Sequence, residues 1–141
     1  MSSIGNSNTR NGTLASGQTV ANSGYLLKMA SGLLTVAGGS ASADADTPFA
    51  VSLDESSRDV DGALVAAGTV TYCPSGGVLW MRADAGTYNL GATVYLSDPA
   101  AGHVDATQSS GATVVGMYVG DHAKVVVVGE LVPINTNNST W

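Results

Sequence analysis

The chain has 141 residues, a formal net charge of −6 and only 11% charged residues, with 44% hydrophobic residues and 18 glycines. One domain is expected at this length, with enough apolar side chain to bury a core rather than remain disordered. The five basic residues, Arg10, Lys28, Arg58, Arg82 and Lys124, are scattered along the chain; scattered cations displace few counterions from phosphates, which argues against nucleic acid as a partner, and their scarcity argues equally against an anionic membrane surface.

No apolar run reaches the length of about 20 residues that a membrane-spanning helix needs. The opening stretch "MSSIGNSNTRNGT" has no hydrophobic signal core, so synthesis in the cytoplasm is expected. With Cys73 as the single cysteine, an internal disulfide is excluded and stability must come from packing.

In chain order, residues 1–17 are Ser, Asn, Gly and Thr with Ile4 and Leu14 as the sizeable apolar side chains, and they are expected as an extended arm. "YLLKMASGLLTV" (residues 25–36) reads as strand, turn, strand. "TPFAVSLDES" alternates, with Phe49, Val51 and Leu53 on one face. Residues 59–67, "DVDGALVAA", allow at most a short and marginal helix. "GTVTYCPSG" and "GGVLWMRAD" give two further strands. "VYLSDPAAGHVDAT" (residues 94–107) repeats the strand–turn–strand pattern, with Asp98, Pro99 and Gly102 supplying turn chemistry.

"ATVVGMYVGD" and "AKVVVVGELV" follow, and the polar segment 133–141 ends in Trp141. The expected fold is all-β: a compact small barrel or sandwich of about seven to ten short strands over residues 18–132, between the arm and a tail at 133–141. Valines on both faces of the last strand call for a cover on each side, which makes Val126 and Val128 candidates for a subunit interface.

The two hairpins form a weak internal duplication. Each is followed, after a polar stretch, by a strand with a small residue amid apolar ones, Ala50 in "PFAVSL" and Gly116 in "VVGMYV". Two half-units around a shared core are expected.

Little in the chain suggests chemistry. Phosphate-binding and dinucleotide glycine motifs, H-E-x-x-H and G-x-S-x-G are all missing from the sequence. His103 and His122 read as solvated turn residues, and Cys73 as a wholly or partly buried thiol. The carboxylates Asp44, Asp46, Asp54, Glu55, Asp59 and Asp61 form an acidic belt without a calcium-loop spacing. No enzyme activity, metal or cofactor is expected.

The order Gly91, Val94, Tyr95, Leu96, Gly102, Val104, then "VVGMYV" (residues 114–119) and a valine-rich last strand, resembles the small capsid cement, or head-decoration, proteins of tailed phages. Gly68, Val70 and Tyr72 add to the likeness, which covers about residues 17–132. The resemblance implies a β-rich module that joins the outside of a viral head and braces major capsid protein subunits, as a trimer more than as a dimer. In that setting Ile4, Arg10, Leu14 and Trp141 are the candidate capsid contacts. The alternative is a carbohydrate-binding or other virion-associated β-module, for which Trp80, Tyr72, Tyr95 and Tyr118 would be the aromatic platform.

Overall fold

A computed structural model describes residues 9–39, 46–74, 76–109 and 111–137. Ile4 and Trp141 lie outside the described residues. The described residues are all-β, with twelve short strands where the sequence suggested fewer. The strands are β1 (Arg10–Thr13), β2 (Leu26–Ala30), β3 (Leu33–Val36), β4 (Ala50–Ser52), β5 (Thr69–Pro74), β6 (Val78–Arg82), β7 (Gly86–Tyr88), β8 (Thr93–Leu96), β9 (Val104–Asp105), β10 (Val114–Tyr118), β11 (Lys124–Val126) and β12 (Leu131–Asn135).

The duplication is a property of the whole topology. One five-stranded sheet runs β1-β5-β4-β2-β3 and the other β6-β12-β10-β8-β9, while β7 and β11 pair as a separate two-stranded ladder. With β7 and β11 set aside, the two sheets have the same spatial order in the same chain order. All the strand pairs are antiparallel.

Each sheet then turns back on itself. Leu14, just after β1, makes a parallel bridge to Leu34 of β3, and Ala83, just after β6, makes the same bridge to Val104 of β9. The flanking bonds match as well: Ala15 N–H donates to Leu34 O at 2.8 Å and Asp84 N–H to Val104 O at 2.9 Å. Each half is thus a small barrel whose end strands meet. Ala50 faces Leu27 and Gly116 faces Val94, so the two small residues hold equivalent places.

Local chemistry explains the elements. The hairpin β2–β3 turns at Ser31-Gly32 with φ of 52° and 79°, the two positive values of a tight turn that suits right-twisted strands. Leu26 and Leu27 are both fully buried but point to opposite sides of their strand. Leu27 enters the interior of the first barrel with Leu14, Val20, Leu34, Ala50, Val70 and Tyr72. Leu26, Ala37 and Val51 instead face the second half and join Met81, Val94, Leu96, Val115, Val132 and Ile134 in the larger core.

The halves are fixed to each other by backbone. Arg82 N–H donates to Gly24 O at 2.8 Å, Leu26 N–H to Gly102 O at 2.9 Å and Gly39 N–H to Ser97 O at 2.8 Å. Gly24 has φ of 87°, and a Cβ there would lie 2.5 Å from Leu131 Cδ2, so only glycine allows this approach. The Asp46 carboxylate takes Lys28 Nζ at 2.7 Å and Gly38 N–H at 2.8 Å, while its carbonyl accepts from Thr113 Oγ1 of the second half at 2.8 Å.

Three local expectations are corrected. Residues 10–14 are not a free arm: β1 pairs with β5, with Arg10 opposite Tyr72 and Thr13 opposite Thr69. Residues 133–135 are likewise part of β12 rather than of a tail. Residues 59–67 form no helix, because Asp59 Oδ1 accepts from the N–H groups of Asp61 and Ala63 at 2.9 and 3.0 Å, and Arg58 bridges Leu64. An aspartate that bonds the backbone ahead of it competes with helical pairing.

Candidate functional site: the surface available for assembly

The predicted contact residues separate into different environments. Leu14 is 1% exposed and belongs to the first barrel's interior; an apolar side chain at the end of a paired strand gains more from that interior than from solvent. Val126 is 2% exposed and packs in the larger core. Both are therefore removed from the contact set. Arg10 is exposed on the edge of β1 and Val128 is exposed beyond β11. Arg10 and Val128 belong to different halves and share no element.

The valine run "VVVV" is one strand end followed by a turn. β11 stops at Val126, Gly129 takes φ of 91°, and β12 begins at Leu131. Only Val126 points inward, and Val125 (77% exposed), Val127 and Val128 face outward. The turn is held by Glu130, which accepts from Val127 N–H at 2.6 Å and pairs with Lys124 Nζ at 2.9 Å. Those two contacts hold the Glu130 carboxyl below its usual range, the Val127 amide contributing most. Three adjacent exposed valines on a fixed turn make an apolar surface that sequence alternation alone misplaced.

A second apolar surface lies along the seam of the halves. On the outer face of the second sheet, Trp80 of β6 stands opposite Pro133, and Asn135 stands between Val78 and Met117. Trp80 is 58% exposed. Beside it a groove of about 310 Å³ runs between the halves, lined among others by Leu53, Val78, Leu79, Trp80 and Leu131. Of the aromatic residues considered as a platform, Tyr72 and Tyr118 are buried and Tyr95 is half-buried, so Trp80 alone is presented. Asn137 Oδ1 accepts from Gly77 N–H at 2.7 Å, and Thr9 lines the groove, so both ends of the described chain reach the region of Val78.

The strongest polar constellation was not visible in the sequence. His103, expected as a solvated turn residue, is buried. Its Nδ1 is 3.0 Å from Asp84 Oδ1, and Ser97 Oγ donates to Asp84 Oδ2. Ser97 Oγ in turn accepts from Ala100 N–H at 3.1 Å, and the Tyr88 hydroxyl donates to the carbonyls of Asp84 and Val104 at 3.0 and 3.2 Å. Burial pushes the Tyr88 phenol well above its ordinary value, with the nearby carboxylates of Asp105 and Asp84 adding to the shift.

Serine, histidine and aspartate are all present, but the order of contacts is Ser–Asp–His. A serine nucleophile needs its proton taken by the imidazole and its oxygen open to substrate. Ser97 is fully buried and donates to the carboxylate instead. The cluster closes the end of the second barrel.

Four members of the acidic belt are spent on local structure. Asp46 pairs with Lys28 and Glu55 with Arg58, while Asp54 accepts from Glu55 N–H and Asp59 from two backbone amides; Asp44 lies outside the described residues. Among the described residues no group of three His, Cys, Asp or Glu side chains is placed to hold a metal. Cys73 is half-buried and burial raises its thiol pKa, the opposite of what a nucleophilic cysteine needs.

Comparison with known protein families, with curated proteins and with solved structures found no match.

Proposed function

We propose that the chain is a capsid decoration, or cement, protein that binds the outer surface of a viral head, made in the host cytoplasm and held on the virion. The observation that carries the reading is the contrast between a tightly braced interior and apolar side chains left at the surface in two separate places. The valine turn at 125–128 is the candidate surface for self-association, as a trimer more than as a dimer. The face that carries Trp80, Val78 and Arg10 is the candidate contact with the major capsid protein; Ile4 and Trp141, the other candidates for it, lie outside the described residues. A subunit interface of standard size buries about 1,600 Å², and several modest contacts made together resist release far better than one. The acidic net charge keeps the free protein soluble and orients it toward a basic partner.

Virions purified from the source virus test this directly. The chain is expected at a copy number comparable to that of the shell protein, and its absence from intact particles would overturn the reading. Val125→Asp combined with Val128→Asp should leave the fold intact and shift the sedimenting species to monomer. Exposed Trp80 favours a second reading, a carbohydrate-binding module. Its neighbours Val78, Leu79 and Pro133 offer few hydrogen-bonding side chains for sugar hydroxyls, and glycan affinity in solution that is lost in Trp80→Ala would favour that reading over decoration.

A further inference from the structure

We propose that the edge of β6 facing the groove between the two halves takes up an extended, uncharged peptide segment of another protein as an added strand. Along an antiparallel strand the backbone groups point to one neighbour and the other by turns. Gly77 O accepts from Thr136 N–H at 2.9 Å and Ala83 N–H donates to Glu130 O at 2.9 Å, so Gly77, Leu79, Met81 and Ala83 turn their backbone groups to β12. Val78, Trp80 and Arg82 turn theirs to the opposite edge. There Arg82 N–H donates to Gly24 O at 2.8 Å, and beyond it Asp84 N–H donates to Val104 O at 2.9 Å. Among the described residues, none bonds the backbone of Val78 or Trp80 on that edge.

The groove identifies the occupant. Gly24, Val78 and Trp80 all line it, so it runs along the open edge, and Leu53 and Cys73 of the first half line it as well. Two strand residues at i and i+2 offer two N–H and two C=O groups, a spacing that an extended backbone matches. None of the lining residues is charged, so a charged side chain seated there would be buried without a partner. Small or β-branched side chains suit the strand conformation. A volume of about 310 Å³ holds a few residues of a single chain and not the edge of a second sheet. The bonds of Arg82 and Asp84 close the edge beyond, so addition stops at one short strand. The slot lies on the Trp80 face but asks only for an extended segment, and it stands with or without the decoration reading.

Hydrogen exchange in the full chain, followed residue by residue by NMR, tests the edge. In the free protein the amides of Val78 and Trp80 are expected to exchange freely and those of Leu79 and Met81 slowly. Saturating acetyl-Val-Thr-Val-Thr-Val-amide should slow the Trp80 amide about tenfold or more. The analogue N-methylated at every residue, which keeps the side chains and loses the backbone donors, should not. Leu53→Glu puts a charge in the groove and should remove the slowing with the melting temperature unchanged. No slowing, or equal slowing by both peptides, would overturn the proposal. So would a Trp80 amide already protected without peptide: protection that persists on dilution would assign the edge to the chain's own segments, and protection lost on dilution would assign it to a second copy.

Discussion

The two halves share one backbone plan and fill it differently. In the first barrel Gly12, Leu14, Leu34 and Tyr72 occupy the places that Met81, Ala83, Val104 and Ile134 occupy in the second. Where the first has glycine, the second has methionine; where the first has tyrosine and leucine, the second has isoleucine and alanine. A Cβ on Gly12 would lie 2.6 Å from Leu34 Cδ1 and 2.9 Å from Tyr72 Cε1, so the small residue is required by its large neighbours. A barrel of this size constrains the total volume inside it more than the identity of any one side chain.

The polar content also differs. Asp84, Ser97 and His103 stand where the first half has Ala15, Ala30 and Leu33, as the paired strand ends show. The same plan ends in an open apolar hairpin in one half and in a buried hydrogen-bonded cluster in the other.

Three measurements would break or sharpen this comparison. The largest effect is expected from Leu14→Ala, which empties a filled position in the half that has no methionine to compensate. Its cost should be about 3 kcal/mol in urea unfolding, and a cost below about 1 kcal/mol would show that the first interior is not a packed one. The same reasoning limits terminal truncation to the residues ahead of Thr9, since removing 1–14 would take away β1.

Next is Asp84→Ala, which strands Ser97 and His103 and should cost about 2 kcal/mol. The triple variant Asp84→Ala, Ser97→Ala, His103→Leu gives the second half the first half's residues and should recover most of that loss, because the stranded side chains go together and only the part-buried Ala100 N–H loses its partner. A triple variant less stable than the single one would refute the equivalence.

The third is pH. The folded-state pKa of Tyr88 is raised, so the unfolded chain releases its proton first, near the ordinary value of about 10. Stability is whole below that pH and falls above it, by about 1.4 kcal/mol for each further unit while the folded phenol stays protonated. Tyr88→Phe should flatten the alkaline limb while lowering stability at neutral pH by about 1 kcal/mol, since the hydroxyl that donates to two buried carbonyls is lost.

Much of this was legible in the sequence where the signal is local. Both hairpins are marked by strand-length apolar runs around Ser31-Gly32 and Asp98-Pro99, and the small residues Ala50 and Gly116 already pointed to paired half-units. The rest was hidden by its spacing. Asp84 is 13 residues from Ser97 and 19 from His103, and each alone reads as a turn residue. Leu14 sits in a polar stretch, so its burial depends on a bridge to Leu34 that no nearby pattern announces. The exchange of glycine for methionine and tyrosine for isoleucine erased the likeness of β1 to β6 and of β5 to β12. The run "VVVV" looked like a two-faced strand because a turn at Gly129 has no mark in alternation.

The meeting of the end strands in each half has a practical consequence. A chain so rich in valine, alanine and glycine, packed at high local density, is at hazard of stacking into fibrils through bare backbone ladders. By joining its first strand to its third, each five-stranded unit withholds that template, so crowding many copies side by side favours contact through side chains rather than runaway strand addition.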